Sequence, residues 1–167
     1  MSTTAIASAE VTDLLATLAK HRGFLLFTVR GLADEQARLT PTASELSLGG
    51  LIKHVRTVEE SWMRFAVGGA ELMESVPHDW VNGFRMLPDE TLDELLAAFE
   101  ETAAKTDRLL QELDLDTSHA LPEAPWFEPG VRWSVRRVAL HLIGEISQHA
   151  GHADILRESI DGQKTMG

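Results

Sequence analysis

The chain has 167 residues, 44% of them hydrophobic, and 26 acidic against 15 basic residues give a formal net charge of −11. This size suits one domain, residues 1–167, with a sizeable core, while the negative charge disfavours nucleic acid and anionic lipid surfaces as partners. The chain has no cysteine, so any sulfur chemistry needs a thiol from outside.

The N-terminal residues 1–13 lack the charged start and apolar run of a signal peptide. No segment approaches the roughly 20 consecutive apolar residues that a membrane-spanning helix needs. We therefore expect a cytoplasmic protein with no membrane partner.

Four segments repeat apolar residues with helical spacing, and strand-like alternation is almost absent. Ser47 and Ser134 are suitable N-caps, Thr91 opens a capping box with Glu94, and Gly162 is a good C-terminal stop. The pattern predicts an all-α four-helix bundle. In chain order, the predicted helices cover about 9–31, 47–69, 91–113 and 134–161.

Two connections are longer than a bundle needs, residues 69–90 and residues 114–130. Loops of this length in a compact domain are more often functional or disordered than incidental. Both carry aromatic side chains that a purely solvated linker would not favour. We expect the two loops to cover one end of the bundle. Their aromatic residues are Trp80, Phe84, Trp126 and Phe127.

The last predicted helix contains GEISQHAGHADILRE, residues 144–158, which has many titratable groups for a helix with a buried face. At about 100° of turn per residue, Glu145 and His149 point inward or nearly so. His141 and His152 lie nearer the edge of the apolar face. An inward carboxylate is costly unless it is paired, hydrogen-bonded or bound to a metal.

On the second predicted helix, His54 lies between Leu51 and Val58, at the edge of an apolar stripe. Together with Glu145 and His149 it would form a set of two nitrogens and one oxygen. Such a set binds zinc, nickel or ferrous iron and leaves coordination positions open.

The spacing leaves alternatives open. Glu145 and His149, four residues apart, can simply pair with each other. His141 forms a rival pair with Glu145 at the same spacing. His152 can be a ligand, a hydrogen-bond partner of a ligand or a surface residue.

Two stretches resemble the DinB-like superfamily of four-helix metalloproteins, and the likeness extends over the whole chain. They are LSLGGLIKHVRTVEESWMRFAVGG, residues 46–69, and VRRVALHLIGEISQHAGHADILRESIDG, residues 135–162. In that superfamily, a histidine of the second helix and two groups four apart on the fourth hold a divalent metal, usually zinc or nickel. The resemblance implies that His54, Glu145 and His149 are the metal ligands.

Many members carry histidine where this chain has Glu145. The histidine, glutamate and histidine set resembles the branch of mycothiol-dependent maleylpyruvate isomerase. The resemblance implies a metal-dependent transferase or isomerase that uses a thiol such as mycothiol, bacillithiol or glutathione on an electrophile. It also implies a homodimer, and it does not imply DNA binding.

Two other functions fit the same residues. One is a metal-binding stress or interaction protein without turnover, and the other is a metal-dependent hydrolase that uses activated water. Beyond the metal ligands, the sequence identifies no catalytic residue. Arg56, Arg136 and Arg137 are candidates to steer an anionic substrate, although each also fits a solvated helix face.

Overall fold

A computed structural model describes residues 8–79 and 81–166 of the chain. Residues 1–7 and the loop aromatic Trp80 lie outside the described residues. The expectation that the N-terminal segment is not a signal peptide therefore falls partly outside them. The elements in chain order are α1 (Ala9–Phe27), α2 (Asp34–Ala37), α3 (Leu48–Glu74), α4 (Leu92–Glu112), β1 (Ser118–Ala120), β2 (Arg132–Ser134) and α5 (Val135–Asp161).

The four long helices, α1, α3, α4 and α5, confirm the predicted all-α bundle. Helix α5 packs against α1 and α3, and α3 also packs against α4. The apolar stripes of these helices meet in one buried core. Its fully buried side chains include Leu25, Phe65, Phe99, Leu110 and Ile146. None of the helices described within 8–79 and 81–166 is long and apolar enough to cross a membrane.

The predicted N-caps are confirmed by hydrogen bonds. The hydroxyl of Ser47 accepts from the Gly50 N–H, and that of Ser134 accepts from the Arg137 N–H. Thr91 forms its capping box at the start of α4. At the other end of α5, Gly162 adopts the left-handed conformation with φ of 78°.

Helix α1 ends at Phe27, four residues before the predicted end. The backbone N–H groups of residues 28–30 bond to carbonyls three residues back, which tightens the chain into turns before Gly31. The short helix α2 that follows was not predicted.

The predicted end of the second helix at Gly68–Gly69 is a break inside α3, which resumes and continues to Glu74. Gly69 has φ of 74° and ψ of −163°, a conformation that essentially only glycine adopts. The chain changes direction there without leaving the bundle.

The long connection between α4 and α5 contains a small antiparallel ribbon that the sequence did not predict. In the ribbon, His119 of β1 pairs with Trp133 of β2. The ribbon packs on the break in α3, where the His119 Nε2 lies 3.3 Å from the Ala66 carbonyl oxygen. A Cβ at Gly69 would lie 3.2 Å from the His119 ring, so the glycine leaves room for this contact.

Candidate metal centre and adjoining cavity

The packing of α3 against α5 brings together the three side chains that were predicted as ligands. One nitrogen of His54, one nitrogen of His149 and one carboxylate oxygen of Glu145 all lie within 4.8 Å of one another. His54 and His149 are buried, and Glu145 is partly buried. The carboxylate therefore meets its partners at the surface of the core rather than in bulk water.

Glu145 lies between two histidines of its own helix. Its Oε2 is 3.4 Å from His149 Nε2, and its Oε1 is 3.8 Å from His141 Nε2. Both pairings that the spacing allowed are thus present at once. The His141 ring also packs edge-on against Trp62 and Trp133, with centroid distances of 4.8 Å and 5.2 Å.

The imidazole of His54 is held between two rings. It stacks on Phe84 with centroids 3.7 Å apart and meets His149 edge-on at 4.8 Å. Its Nδ1 is buried and has no hydrogen-bond partner among the described residues. A buried nitrogen without a partner is costly, and an ion or a water molecule commonly resolves such a case.

The protonation states suit metal binding. Burial lowers the pKa of His54 to about 4, and the neighbouring His149 and His78 act in the same direction. The hydrogen bond from His149 is the main cause that lowers the pKa of Glu145. At neutral pH, His54 therefore offers a lone pair and Glu145 a negative charge, as metal ligands must. The donor set fits a divalent ion.

His152, whose role the spacing left open, lies behind His149. The two Nδ1 atoms are 3.4 Å apart, while the Nε2 of His149 faces Glu145. His152 is thus placed to hold the ring of His149 through the nitrogen that does not face the cluster. Neither His152 nor His141 belongs to the three-residue cluster among the described residues.

The paired glycines before His54 let a loop reach the site. A Cβ at Gly50 would lie 2.0 Å from the Phe84 carbonyl oxygen, and one at Gly49 would lie 2.4 Å from the Met86 sulfur. Residues 84–86 therefore rest directly on the first turn of α3, which places Phe84 on His54. The sequence marked Phe84 as a loop aromatic but did not reveal this stacking.

A cavity of about 510 Å³ adjoins the cluster, with His54 among its lining residues. Residues from both long connections line it, as expected of loops that cover one end of the bundle. Most of its walls are apolar, and they include Val58, Trp62, Met73, Pro122 and Phe127.

The three arginines considered for anion binding have other partners. Arg56 forms an ion pair with Glu60 at 3.0 Å. Arg136 pairs with acidic residues of α1 and of the loop after α4, and Arg137 lies over the Trp133 ring at 4.6 Å from its centroid. None of them is among the described residues that line the cavity.

A helical bundle of this topology, with a histidine and glutamate cluster between α3 and α5, is of the DinB-like class. The chain matches the family model described as Mycothiol-S-transferase over residues 13–162. Since the match spans most of the chain, the protein belongs to the mycothiol-S-transferase family.

The fold is also similar to that of a solved structure described as the conserved protein of locus from Enterococcus faecalis. The TM-score is 0.64 at 15% sequence identity, with 91% of this chain and 97% of that chain covered. At this identity the likeness concerns the fold alone. No curated protein matches the chain.

Proposed function

We propose that the protein is a divalent-metal-dependent transferase that joins a low-molecular-weight thiol, mycothiol first of all, to an electrophilic carbon. The observation that carries the proposal is the convergence of His54, Glu145 and His149 in a chain of the mycothiol-S-transferase family. In this proposal those three side chains hold the ion, with zinc or nickel as the expected metal.

When bound, such an ion supplies Lewis acidity, which lowers the pKa of a thiol that reaches it. The protein's own residues set the surroundings. Glu145 contributes one negative charge, and the ring of Phe84 covers one face of the His54 imidazole. Because the chain has no cysteine, no thiolate of its own competes for the ion or for the electrophile.

In the proposed reaction, the sulfur of the thiol forms a bond to the electrophilic carbon. The bond from that carbon to the leaving group breaks, and the leaving group takes the electron pair. The thiol proton passes to solvent. An isomerisation would instead return the thiol after the rearrangement, so the two reactions differ in whether thiol is consumed.

Metal content tests the site. Protein purified without chelator should carry about one divalent ion per chain, and His149→Ala should lose most of it because one of three ligands is gone. His21→Ala, which changes a histidine of α1 outside the cluster, is the matched control and should keep its metal. Equal metal content in the two variants would place the ion elsewhere.

Thiol dependence tests the reaction. Metal-loaded protein is assayed with mycothiol, bacillithiol and glutathione against a reporter electrophile, with and without chelator. We expect turnover that needs both the metal and the thiol. Turnover with water alone would indicate a hydrolase, and bound metal without any turnover would leave a metal-binding protein.

A further inference from the structure

We propose that a separate polar cavity, between the start of α3 and the loop before α4, binds the phosphate group of a small hydroxylated phosphate ester. The inference goes beyond the proposed thiol transfer and does not depend on it. None of the described residues that line this cavity belongs to the metal-ligand cluster or lines the cavity beside His54. The lining includes two arginines and three hydroxyl side chains, which are Arg38, Arg85, Thr40, Ser44 and Ser47.

Arg38 gives the cavity a positive charge that is held in place. Its Nε and Nη2 donate to three backbone carbonyls of the loop before α4, those of Leu87, Pro88 and Glu90. Its guanidinium forms no ion pair with any acidic side chain of the described residues, and its Nη1 makes no hydrogen bond with them. Neutral groups therefore orient the guanidinium, while its charge and one of its nitrogens remain available to a ligand.

Arg85 adds a second guanidinium with a weak partner. Its side chain is 60% exposed, and the ion pair with Glu45, whose side chain is 92% exposed, has a nitrogen–oxygen distance of 3.8 Å. An exposed pair of this kind stabilises the protein little, so a bound anion can replace Glu45 as the partner of Arg85. Glu45 is the only acidic residue among the described residues that line the cavity.

The hydroxyl side chains add further hydrogen-bond donors. The buried Ser47 Oγ accepts from the Gly50 N–H at 3.2 Å, and the Ser44 Oγ accepts from the Leu46 N–H at 3.1 Å. The O–H groups of both serines and of Thr40 donate to none of the described residues. Donors therefore outnumber acceptors around the cavity, which is the arrangement that an oxyanion needs.

A phosphate group suits these donors better than a carboxylate does. The donors come from three segments of the chain, the end of α2, residues 40–47 and residue 85, and the oxygens of a phosphate accept bonds from several directions. The volume of about 360 Å³ lies within the roughly 300–1,000 Å³ of most small-molecule sites, so it leaves room beside the phosphate for a hydroxylated remainder. Because the net charge of −11 repels anions in general, only such local donors can hold one.

Isothermal titration calorimetry with glycerol 3-phosphate, inorganic phosphate and glycerol tests the inference. The full chain is titrated as purified, at neutral pH and constant ionic strength. We expect glycerol 3-phosphate to bind about tenfold more tightly than inorganic phosphate, because its hydroxyl groups meet the polar walls, and glycerol to bind more weakly than either. No binding of the ester, or inorganic phosphate or glycerol that binds as tightly as the ester, overturns the inference.

Two variants of opposite effect assign the binding to this cavity. Arg85→Met should weaken the binding of glycerol 3-phosphate about tenfold, because it removes a charged donor. Glu45→Gln should tighten the binding about threefold at low salt, because the competing carboxylate is gone. Arg108→Met is the matched control, since Arg108 is exposed in α4 and does not line the cavity. If Arg85→Met binds as tightly as wild type, or Arg108→Met loses as much affinity, the inference is wrong.

One more variant separates this cavity from the metal centre, because a bound divalent ion also attracts phosphate. His149→Ala, which should lose its metal, should bind glycerol 3-phosphate as tightly as wild type does. Phosphate held by the ion would instead be lost in His149→Ala, and this result overturns the inference. The titrations need no thiol and no turnover, so a failure of the proposed transfer reaction leaves their outcome unchanged.

Discussion

The imidazole of His54 is stacked on one ring and meets another edge-on, and its buried Nδ1 has no partner within the part of the chain that the structure describes. An arrangement of this kind costs folding free energy, because the unpartnered nitrogen has lost its water. Such a cost is typical of a side chain that is kept for a ligand.

The burial of His54 predicts how the stability of the metal-free protein depends on pH. Its pKa falls from 6.5 to about 4 on folding, so between these values the unfolded chain binds more protons than the folded one. The free energy of unfolding should therefore rise as the pH is raised through this window, by up to roughly 3 kcal/mol. Above pH 6.5, the titration of His54 should change the free energy of unfolding little.

The measurement is urea unfolding in the presence of chelator at several values between pH 4 and pH 7.5. His54→Gln, whose side chain does not titrate, should lack this part of the increase, whereas His21→Gln should retain it. The same slope in wild type and His54→Gln would show that the pKa of His54 is not lowered by burial.

His152 leads to a second prediction at this scale. Its Nδ1 is the only described hydrogen-bond partner of His149 Nδ1, at 3.4 Å. His152→Phe should therefore weaken metal binding about tenfold, the lower end of what the loss of such a partner costs. Gln at the same position can still bond to the ring and should recover part of the affinity.

Competition with a fluorescent zinc chelator measures this affinity directly. Unchanged zinc affinity in His152→Phe would show that His149 is held by packing alone. Circular dichroism of each variant checks that the helices are intact.

At the residue scale, the sequence predicted that His54, Glu145 and His149 form one cluster. The helical angles turned Glu145 and His149 inward, and the family resemblance joined them with His54 as one set of ligands. The sequence did not reveal the contact of His152 with His149 or the stacking of Phe84 on His54. Those contacts depend on side-chain rotamers and on a loop that folds back onto α3, neither of which follows from periodicity.

At the scale of elements, the break in α3 shapes the cavity. Beyond Gly69 the helix resumes in a new direction, and Met73, Glu74 and Val76 then line the space beside His54. A helix that continued straight through Gly69 would direct these residues elsewhere. The glycine therefore links local backbone conformation to the form of the site.

Gly69→Ala should destabilise the protein by about 1–3 kcal/mol, because alanine is strained at φ of 74° and ψ of −163°. The added Cβ would also crowd the His119 ring, 3.2 Å away. Gly151→Ala is the contrasting control, since that glycine is exposed in α5 with no atom within 4 Å of the new Cβ. It should stabilise the protein by up to about 1 kcal/mol.

Thermal unfolding of both variants measures these changes in stability relative to wild type. If Gly69→Ala melts no lower than wild type, the break in α3 tolerates a side chain and glycine is not required there.

The ends of elements differ in how well the sequence predicts them. Ser47, Thr91 and Ser134 act through hydrogen bonds within their own first turn, so local sequence suffices to place these helix starts. The ribbon joins residues 12 to 16 positions apart, and its strands have only three residues each. So little length gives no detectable alternation, and the pairing depends on the support of α3.

At the scale of the whole molecule, one buried ion-pair network ties three helices together. The guanidinium of Arg22 in α1 donates to both carboxylate oxygens of Glu59 in α3, at 2.6 Å and 3.3 Å. It also reaches Asp107 of α4 at 2.8 Å. The class of fold was predictable from apolar periodicity, but this network was not, because a charged residue in an amphipathic helix ordinarily faces solvent.

Arg22→Met should therefore destabilise the bundle by about 3–5 kcal/mol, because it leaves the carboxylate of Glu59, whose side chain is 1% exposed, buried without its cation. The double variant Arg22→Met, Glu59→Met removes both charges, so it should recover much of this loss. Lys164→Met breaks the exposed pair with Glu158 and should cost less than about 1 kcal/mol. Urea unfolding at neutral pH gives all three values. If Arg22→Met lowers the free energy of unfolding no more than Lys164→Met does, apolar packing alone stabilises the contacts of the three helices. The ion-pair network would then affect only which helices pack against each other.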